Sequence, residues 1–350
     1  NDVFELKGKI GFFLPAYMVD LRFKDADGNT DLDKAKTFYL KELDSQRTSE
    51  ARNAYKMNHP IYPSDMWITK EDSILPKKYA EDRLKELYTN DAYKSLRTFV
   101  DLKWNNNKVE YSIIDEKKAT KIDTFRDSQG SNDSKNKGLK STKCDFIIYE
   151  FPQANAHPDT YKFIGLDPYV SDETAGGESL GATYILKNPK YIHEGHTGDI
   201  IVAEYVAKPG TRDEYSRNVE LLLGLYNNPR RSLMFERNRG EKVEEYFKKV
   251  GKEHLLAFQP SKYVDGKVKL TQVLKYGHDV GNQHDKLELL NQFAEWLLEK
   301  TTFNGETKYN IQRICSVGLL DEILNYDFQA DKDKDANYDR ISAMLGCIVA

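Results

Sequence analysis

The sequence predicts an α/β fold for residues 95–350, with a mixed central sheet of three antiparallel strands followed by parallel crossovers, and helices on both faces. Three observations predict it. Apolar runs of strand length succeed one another at 161–167, 182–186 and 199–207, closed by turn residues such as Asn188-Pro189 and Pro209-Gly210. Helical spacing then takes over at 213–226, where Tyr215, Val219, Leu222, Leu223 and Tyr226 share one face. After it, short strands at 233–236 and 255–258 alternate with helices at 241–250 and 286–300 and a terminal helix at 339–349. A strand reached through a helical crossover lies parallel to its neighbour, so the order matches the RNase H-like arrangement.

The earlier elements are more fragmentary. In residues 1–70, the apolar run Ile10-Gly11-Phe12-Phe13-Leu14-Pro15 is followed by the turn Asp25-Ala26-Asp27-Gly28-Asn29 and a helical stretch at 33–55, too little to bury an independent core. Residues 71–94, mixing charge with the Pro76 break and one helix, suit a linker. Alternating runs at 98–102 and 108–114 around Asn105-Asn106-Asn107 predict a hairpin. The polar stretch 126–143 has almost no apolar residues and is expected to be a mobile loop.

Composition narrows the function classes. The chain has 350 residues, 39% of them hydrophobic, and no run near the roughly 20 apolar residues of a membrane span, so a membrane protein is not expected. Its first residues carry neither a Met nor a signal pattern, and the chain is expected to begin inside a longer protein. Cys144, Cys315 and Cys347 have no CxxC spacing, which argues against a zinc ribbon or disulfide framework and for a reducing cytoplasm. A net charge of −4 argues against coating nucleic acid by bulk electrostatics, while leaving room for a local basic face.

Chemistry is expected at three acids. Asp167 ends the strand Phe163-Ile164-Gly165-Leu166 and is followed by Pro168, which cannot continue a ladder. Glu236 follows the strand Leu233-Met234-Phe235, and Asp339 opens the terminal helix. Taken singly, each is more often a structural cap. Brought together without basic partners, three carboxylates repel and call for hard divalent cations, Mg2+ or Mn2+. Two such ions suit hydrolysis of a phosphodiester.

These residues resemble the large terminase subunits of tailed bacteriophages, over about residues 95–350. Ile164-Gly165-Leu166-Asp167-Pro168 is similar to the first acidic motif of the C-terminal nuclease domain, Phe235-Glu236-Arg237-Asn238 to the second, and Asp339-Arg340-Ile341-Ser342-Ala343 to the third. Tyr276-Gly277-His278 with Asp285-Lys286 looks like the glycine-turn and lysine segment. Phe12-Phe13-Leu14-Pro15 and residues 55–63 look like the stretch joining motor to nuclease, which makes 1–70 the end of the motor domain. The resemblance implies an endonuclease that cuts double-stranded DNA during viral genome packaging, in the host bacterial cytoplasm, with portal and small terminase subunit as partners. No GxxxxGK[ST] loop occurs, so ATPase activity is not expected. Many relatives carry another acid or a His just before the third acid. Asn337 and Tyr338 stand here instead, with Asp335 as a helper ligand.

Basic residues outnumber acids between Pro229 and Lys252. Arg237, Arg239 and Lys286 are the foremost phosphate-contact candidates, with Lys262, Lys267 and Lys269 on an Asp265-Gly266 hairpin as weaker ones. Asp331-Lys332-Asp333-Lys334-Asp335 lacks the glycine and closing Glu of a calcium loop and is expected to be a solvated acidic turn. His193-Glu194-Gly195-His196 has no helix to sit on, and Asp172, Glu173 and Glu178 are weaker candidates for the metal. Two alternatives remain: an RNase H-like junction resolvase or transposase-type nuclease, and a non-catalytic DNA-binding assembly module.

Overall fold

The computed structural model describes residues 3–6, 9–45, 55–56, 58–62, 74–90, 96–123, 143–169, 179–191, 198–260, 262–264, 267–269, 275–280, 283–303, 306–333 and 336–350. The chain divides into two compact units, Asn1–Asp72 and Ser73–Ala350. In the first, an antiparallel hairpin pairs β1 (Val3–Leu6) with β2 (Lys9–Phe12), followed by the helices α1 (Ala16–Val19) and α2 (Leu32–Ser45). Ala35 and Tyr39 are the buried residues of α2, and Asp20 accepts hydrogen bonds from both Arg22 and the Tyr39 hydroxyl.

The second unit begins with α3 (Lys77–Thr89), inside the stretch that the sequence suggested as a linker. Ala80, Leu84 and Leu87 lie in the core, three and four residues apart, so this helix is held by its apolar face. The hairpin of β3 (Thr98–Asn105) and β4 (Lys108–Ile114) follows, with Asn106 and Asn107 both at positive φ as a two-residue turn of the favoured hand requires. A short strand that the sequence did not announce, β5 (Phe146–Ile148), joins this hairpin to the main sheet. Residues 124–142, which include most of the expected mobile loop, lie outside the described residues.

Then come β6 (Phe163–Asp167), β7 (Gly181–Leu186) and β8 (Ile201–Ala207), the expected antiparallel meander. Helix α4 (Arg212–Leu225) crosses over to β9 (Leu233–Phe235), which pairs parallel with β6. Thr211 caps α4 by accepting the Glu214 N–H. Helix α5 (Glu241–Lys249) leads to Leu256, bridged in parallel to Leu233. The seven-stranded order β4-β3-β5-β8-β7-β6-β9 therefore contains the succession third, second, first, fourth of an RNase H-like α/β fold.

Two small hairpins follow, β10 (Lys262–Val264) with β11 (Lys267–Lys269), and β12 (Lys300–Phe303) with β13 (Glu306–Tyr309), separated by α6 (Gln283–Leu297). The chain ends with α7 (Val317–Asn325), α8 (Phe328–Asp333) and α9 (Asp339–Val349). Helices α3, α6, α7 and α9 cover one face of the sheet, and α4 and α5 the other.

The alternation of side chains along a strand now fixes the site. Ile164 and Leu166 belong to the core under α4 and α5, so Phe163, Gly165 and Asp167 face α9. The parity of β9 is the same: Leu233 and Phe235 face α4 and α5, which gives Met234 and the next residue, Glu236, to the α9 side.

Glycine makes the approach of α9 possible. A Cβ on Gly165 would stand 1.9 Å from the Ala343 carbonyl oxygen and 2.5 Å from the Cys347 nitrogen. The Gly165 N–H donates to the Cys347 thiol at 3.1 Å, and the thiol lies 3.5 Å from the Tyr184 carbonyl oxygen. Ile341, Met344 and Leu345 bury the rest of the helix, each contributing roughly 1.5–3 kcal/mol. Because backbone rather than a flexible side chain blocks the space, we expect Gly165→Ala to destabilise the unit by about 3 kcal/mol, measured by urea unfolding. An unchanged midpoint would show that α9 does not sit this close.

Candidate functional site

Asp167 is 1% exposed, and neither of its carboxylate oxygens has a hydrogen-bond partner among the described residues. It follows Leu166, the register partner of Phe235, so the next residue on each parallel strand is an acid: Asp167 on β6 and Glu236 after β9. Glu236 is held there on its other side by a parallel bridge to His278, in which the Arg237 N–H donates to the His278 carbonyl and the His278 N–H to the Phe235 carbonyl. Gly277 permits this bridge: its φ is +75° and a Cβ there would stand 2.6 Å from the Phe235 oxygen.

Asp339 reaches the same place from the first turn of α9. Its Oδ1 accepts the Ser179 hydroxyl at 2.8 Å and its Oδ2 the Leu180 N–H at 2.7 Å, just before β7. A helix N-terminus favours a carboxylate, and these two donors fix its direction. Below it, Arg340 lies against Gly318, where a Cβ would stand 2.6 Å from its Nε, and donates to Glu322 at 3.4 Å and to the Ile122 carbonyl. Glu322 also accepts the Ile341 N–H at 2.8 Å, so this buried pair anchors the first turn of α9.

Burial pushes the Asp167 carboxyl well above the usual carboxylate range, and the nearby charges of Asp339 and Glu236 push it the same way, while Arg239 and Lys286 pull it down. Asp339 is also raised by burial, against the Leu180 N–H, the Ser179 hydroxyl, Arg239 and Arg340. The expectation of three acids without basic partners therefore needs correction. Arg239 Nη1 stands 4.0 Å from Asp167 Oδ2. The Arg239 guanidinium is held above its usual value by Asp167, Glu236, Asp339 and Asp331 against the effect of burial.

Lys286 Nζ is 2.6 Å from Asp331 Oδ1, and the other oxygen of Asp331 accepts the Tyr326 hydroxyl at 2.8 Å. Asp331 thus belongs to α8 and is 10% exposed at its side chain, which corrects the solvated turn expected there. Arg237 is half-buried on the turn after Glu236. Lys262, Lys267 and Lys269 lie on the expected hairpin, but their side chains, the turn residues between the strands and Asp335 are outside the described residues. So are Asp172, Glu173, Glu178 and 193–196.

Sequence reasoning missed Lys208, which is buried directly after β8. Burial lowers its pKa from the usual value, and the charge of Asp339 acts in the opposite direction. It also missed Ser179 and the Glu322–Arg340 pair, for which no signal of spacing exists.

Among the described residues no set of three or more His, Cys, Asp or Glu side chains is gathered closely enough to hold a metal ion as it stands. The donor set nevertheless fits one in two respects. Asp167 offers two buried oxygens that no hydrogen bond from the described residues satisfies, and each oxygen of Asp339 has a lone pair beyond the donor it accepts. Oxygen donors of this kind suit Mg2+ or Mn2+. No helix of the described residues is long and apolar enough to cross a membrane.

No family model matches the chain, and no curated protein matches it. Among solved structures, the large terminase nuclease from thermophilic phage G20c with bound zinc is similar at 12% identity and a TM-score of 0.36, over 60% of this chain and 91% of that one. The same nuclease with bound magnesium is similar at 11% identity and a TM-score of 0.36, over 65% of this chain and 97% of the other.

Proposed function

We propose that the chain is a metal-dependent endonuclease that hydrolyses phosphodiester bonds of double-stranded DNA, with Asp167, Glu236 and Asp339 as the ligands of two Mg2+ or Mn2+ ions. The observation that carries the reading is Asp167: a carboxylate 1% exposed, without a hydrogen bond among the described residues, in the electrostatic field of Asp339 and Glu236. Burying such a group is costly unless something compensates it, and a divalent cation does so most fully.

When bound, the ions would supply an activated water and stabilisation of the leaving 3'-oxygen. The residues of the chain do the rest. Ser179 and the Leu180 N–H orient Asp339, the parallel register sets Asp167 beside Glu236, and the His278 bridge fixes the strand end from which Glu236 projects. Arg237, Arg239 and Lys286 supply positive charge for phosphates, and Lys262, Lys267 and Lys269 extend that role along the hairpin. Asp335 remains the candidate for a further ligand.

The motif resemblance gives this activity a setting in viral genome packaging. We propose the portal and small terminase subunit as partners, the host bacterial cytoplasm as location, and residues 1–70 as the end of a motor domain. A second reading, a non-catalytic assembly module, is favoured by the two hydrogen bonds that already occupy Asp339. Nicking of supercoiled plasmid decides between them. We expect the chain to relax the plasmid in Mg2+ or Mn2+ and to stop in EDTA, and plasmid left intact in both metals would support the assembly module.

A further inference from the structure

The four-residue turn after Glu236 is built tightly. The Arg239 N–H donates to the Glu236 carbonyl at 3.3 Å and the Gly240 N–H to the Arg237 carbonyl at 3.2 Å. A Cβ on Gly240 would stand 2.0 Å from the Phe235 ring, so the turn is pressed against the end of β9. This geometry aims Arg239 back over the acids rather than outward. Its side chain is 34% exposed, enough to leave without unfolding anything, and its Nη1 lies 4.0 Å from Asp167 Oδ2, one of two oxygens with no hydrogen-bond partner among the described residues.

At 4.0 Å the guanidinium is an ion-pair neighbour and not a hydrogen-bonded partner of Asp167. A bidentate pair would hold both groups permanently. What is present is a loosely held unit charge 4.0 Å from Asp167 that also lies in the electrostatic field of Glu236 and Asp339.

On the reading that these acids hold metal, we propose that Arg239 is an exchangeable counter-ion: its guanidinium neutralises the acid cluster when metal is absent, and metal entry displaces it outward, where it contacts a DNA phosphate. Arg239 thus opposes metal binding in the free protein and couples metal binding to DNA binding. A guanidinium cannot deprotonate to escape this competition. Its release is driven by the larger charge of the incoming ion and completed by the phosphate. By linkage, DNA then tightens metal binding as much as metal tightens DNA binding.

The test titrates Mn2+ into the full chain by calorimetry, with and without a short DNA duplex. Arg239→Met is expected to tighten Mn2+ binding about tenfold in the absence of DNA, because a unit charge close to the site is removed. The same variant should lose most of the mutual tightening between duplex and Mn2+. Arg239→Lys, which keeps the charge, should fall between the two, and guards against a folding defect of the Met variant. Lys242→Gln, which removes an exposed charge paired with Glu245 on α5, should leave Mn2+ affinity as it is. Ordinary Mn2+ binding by the wild type that Arg239→Met leaves unchanged or weakens would overturn the exchange alone. Equal tightening by Lys242→Gln would overturn it too, by assigning the effect to net charge. Absence of Mn2+ binding from wild type and Arg239→Met alike would overturn the metal reading of the site along with it.

Discussion

Asp167→Asn is expected to reduce metal-dependent nicking by about 10³-fold or more, because ligand charge that orients both ions contributes several kcal/mol to the transition state. The same change should raise the melting temperature of the metal-free protein. In the wild type a carboxylate 1% exposed has no hydrogen bond to either oxygen among the described residues, and burial with two acidic neighbours drives it toward its protonated form. Asparagine keeps the shape and removes the charge. Mg2+ should therefore stabilise the wild type and leave Asp167→Asn unmoved, measured by thermal unfolding with and without EDTA. A variant that nicks like the wild type would remove Asp167 from the site, and one that melts lower in EDTA would show that the carboxylate is satisfied by the fold.

Arg340→Met is expected to cost about 3–5 kcal/mol, the usual consequence of removing one partner from a buried ion pair. Both side chains are 1% exposed, and Arg340 also holds the Ile122 carbonyl. The deficit should depend on pH in a defined direction. Burial pushes the Glu322 carboxyl from 4.5 up to about 8, against the pull of Arg340 and the Ile341 N–H. A folded-state pKa above the unfolded one means that the folded protein binds the extra proton, so the contribution of this group to stability falls as pH rises from about 4.5 to about 8. Without Arg340 the charged carboxylate has lost its counter-ion, and the cost grows as it ionises. Urea unfolding of Arg340→Met and wild type at pH 5 and pH 8.5 should thus show the larger gap at the higher pH. Equal gaps would mean that the guanidinium acts through packing alone. Since the pair anchors the first turn of α9, the variant should also weaken whatever activity Asp339 supports.

Parts of this arrangement were legible before any coordinates. Strand-length apolar runs and helical spacing give β6 through β9 and α4 because local pattern and tertiary burial agree there. The Asn106-Asn107 turn was equally legible, since few residues adopt positive φ twice in succession. The sequence also singles out Asp167, Glu236 and Asp339, each polar at the end of an apolar element.

The strand that was not legible has a physical reason. β5 has three residues, too few for an alternation to register, and it exists as a strand because β3 and β8 flank it. The helix expected within 71–94 is found as α3, which in a stretch dominated by charge needs only the stripe of Ala80, Leu84 and Leu87 to join the core.

By itself the sequence determined the succession from β6 to α5, the α/β class and the acids available, because backbone propensity and hydrophobic period are local properties. Only the tertiary structure decided that Asp167 and Glu236 share a face with α9, that Gly165 lets that helix reach the sheet, that Ser179 and Leu180 hold Asp339, and that Arg239 lies among the acids. These partners stand up to 182 residues apart along the chain. Their meeting is governed by packing and charge in three dimensions, which no window of sequence contains.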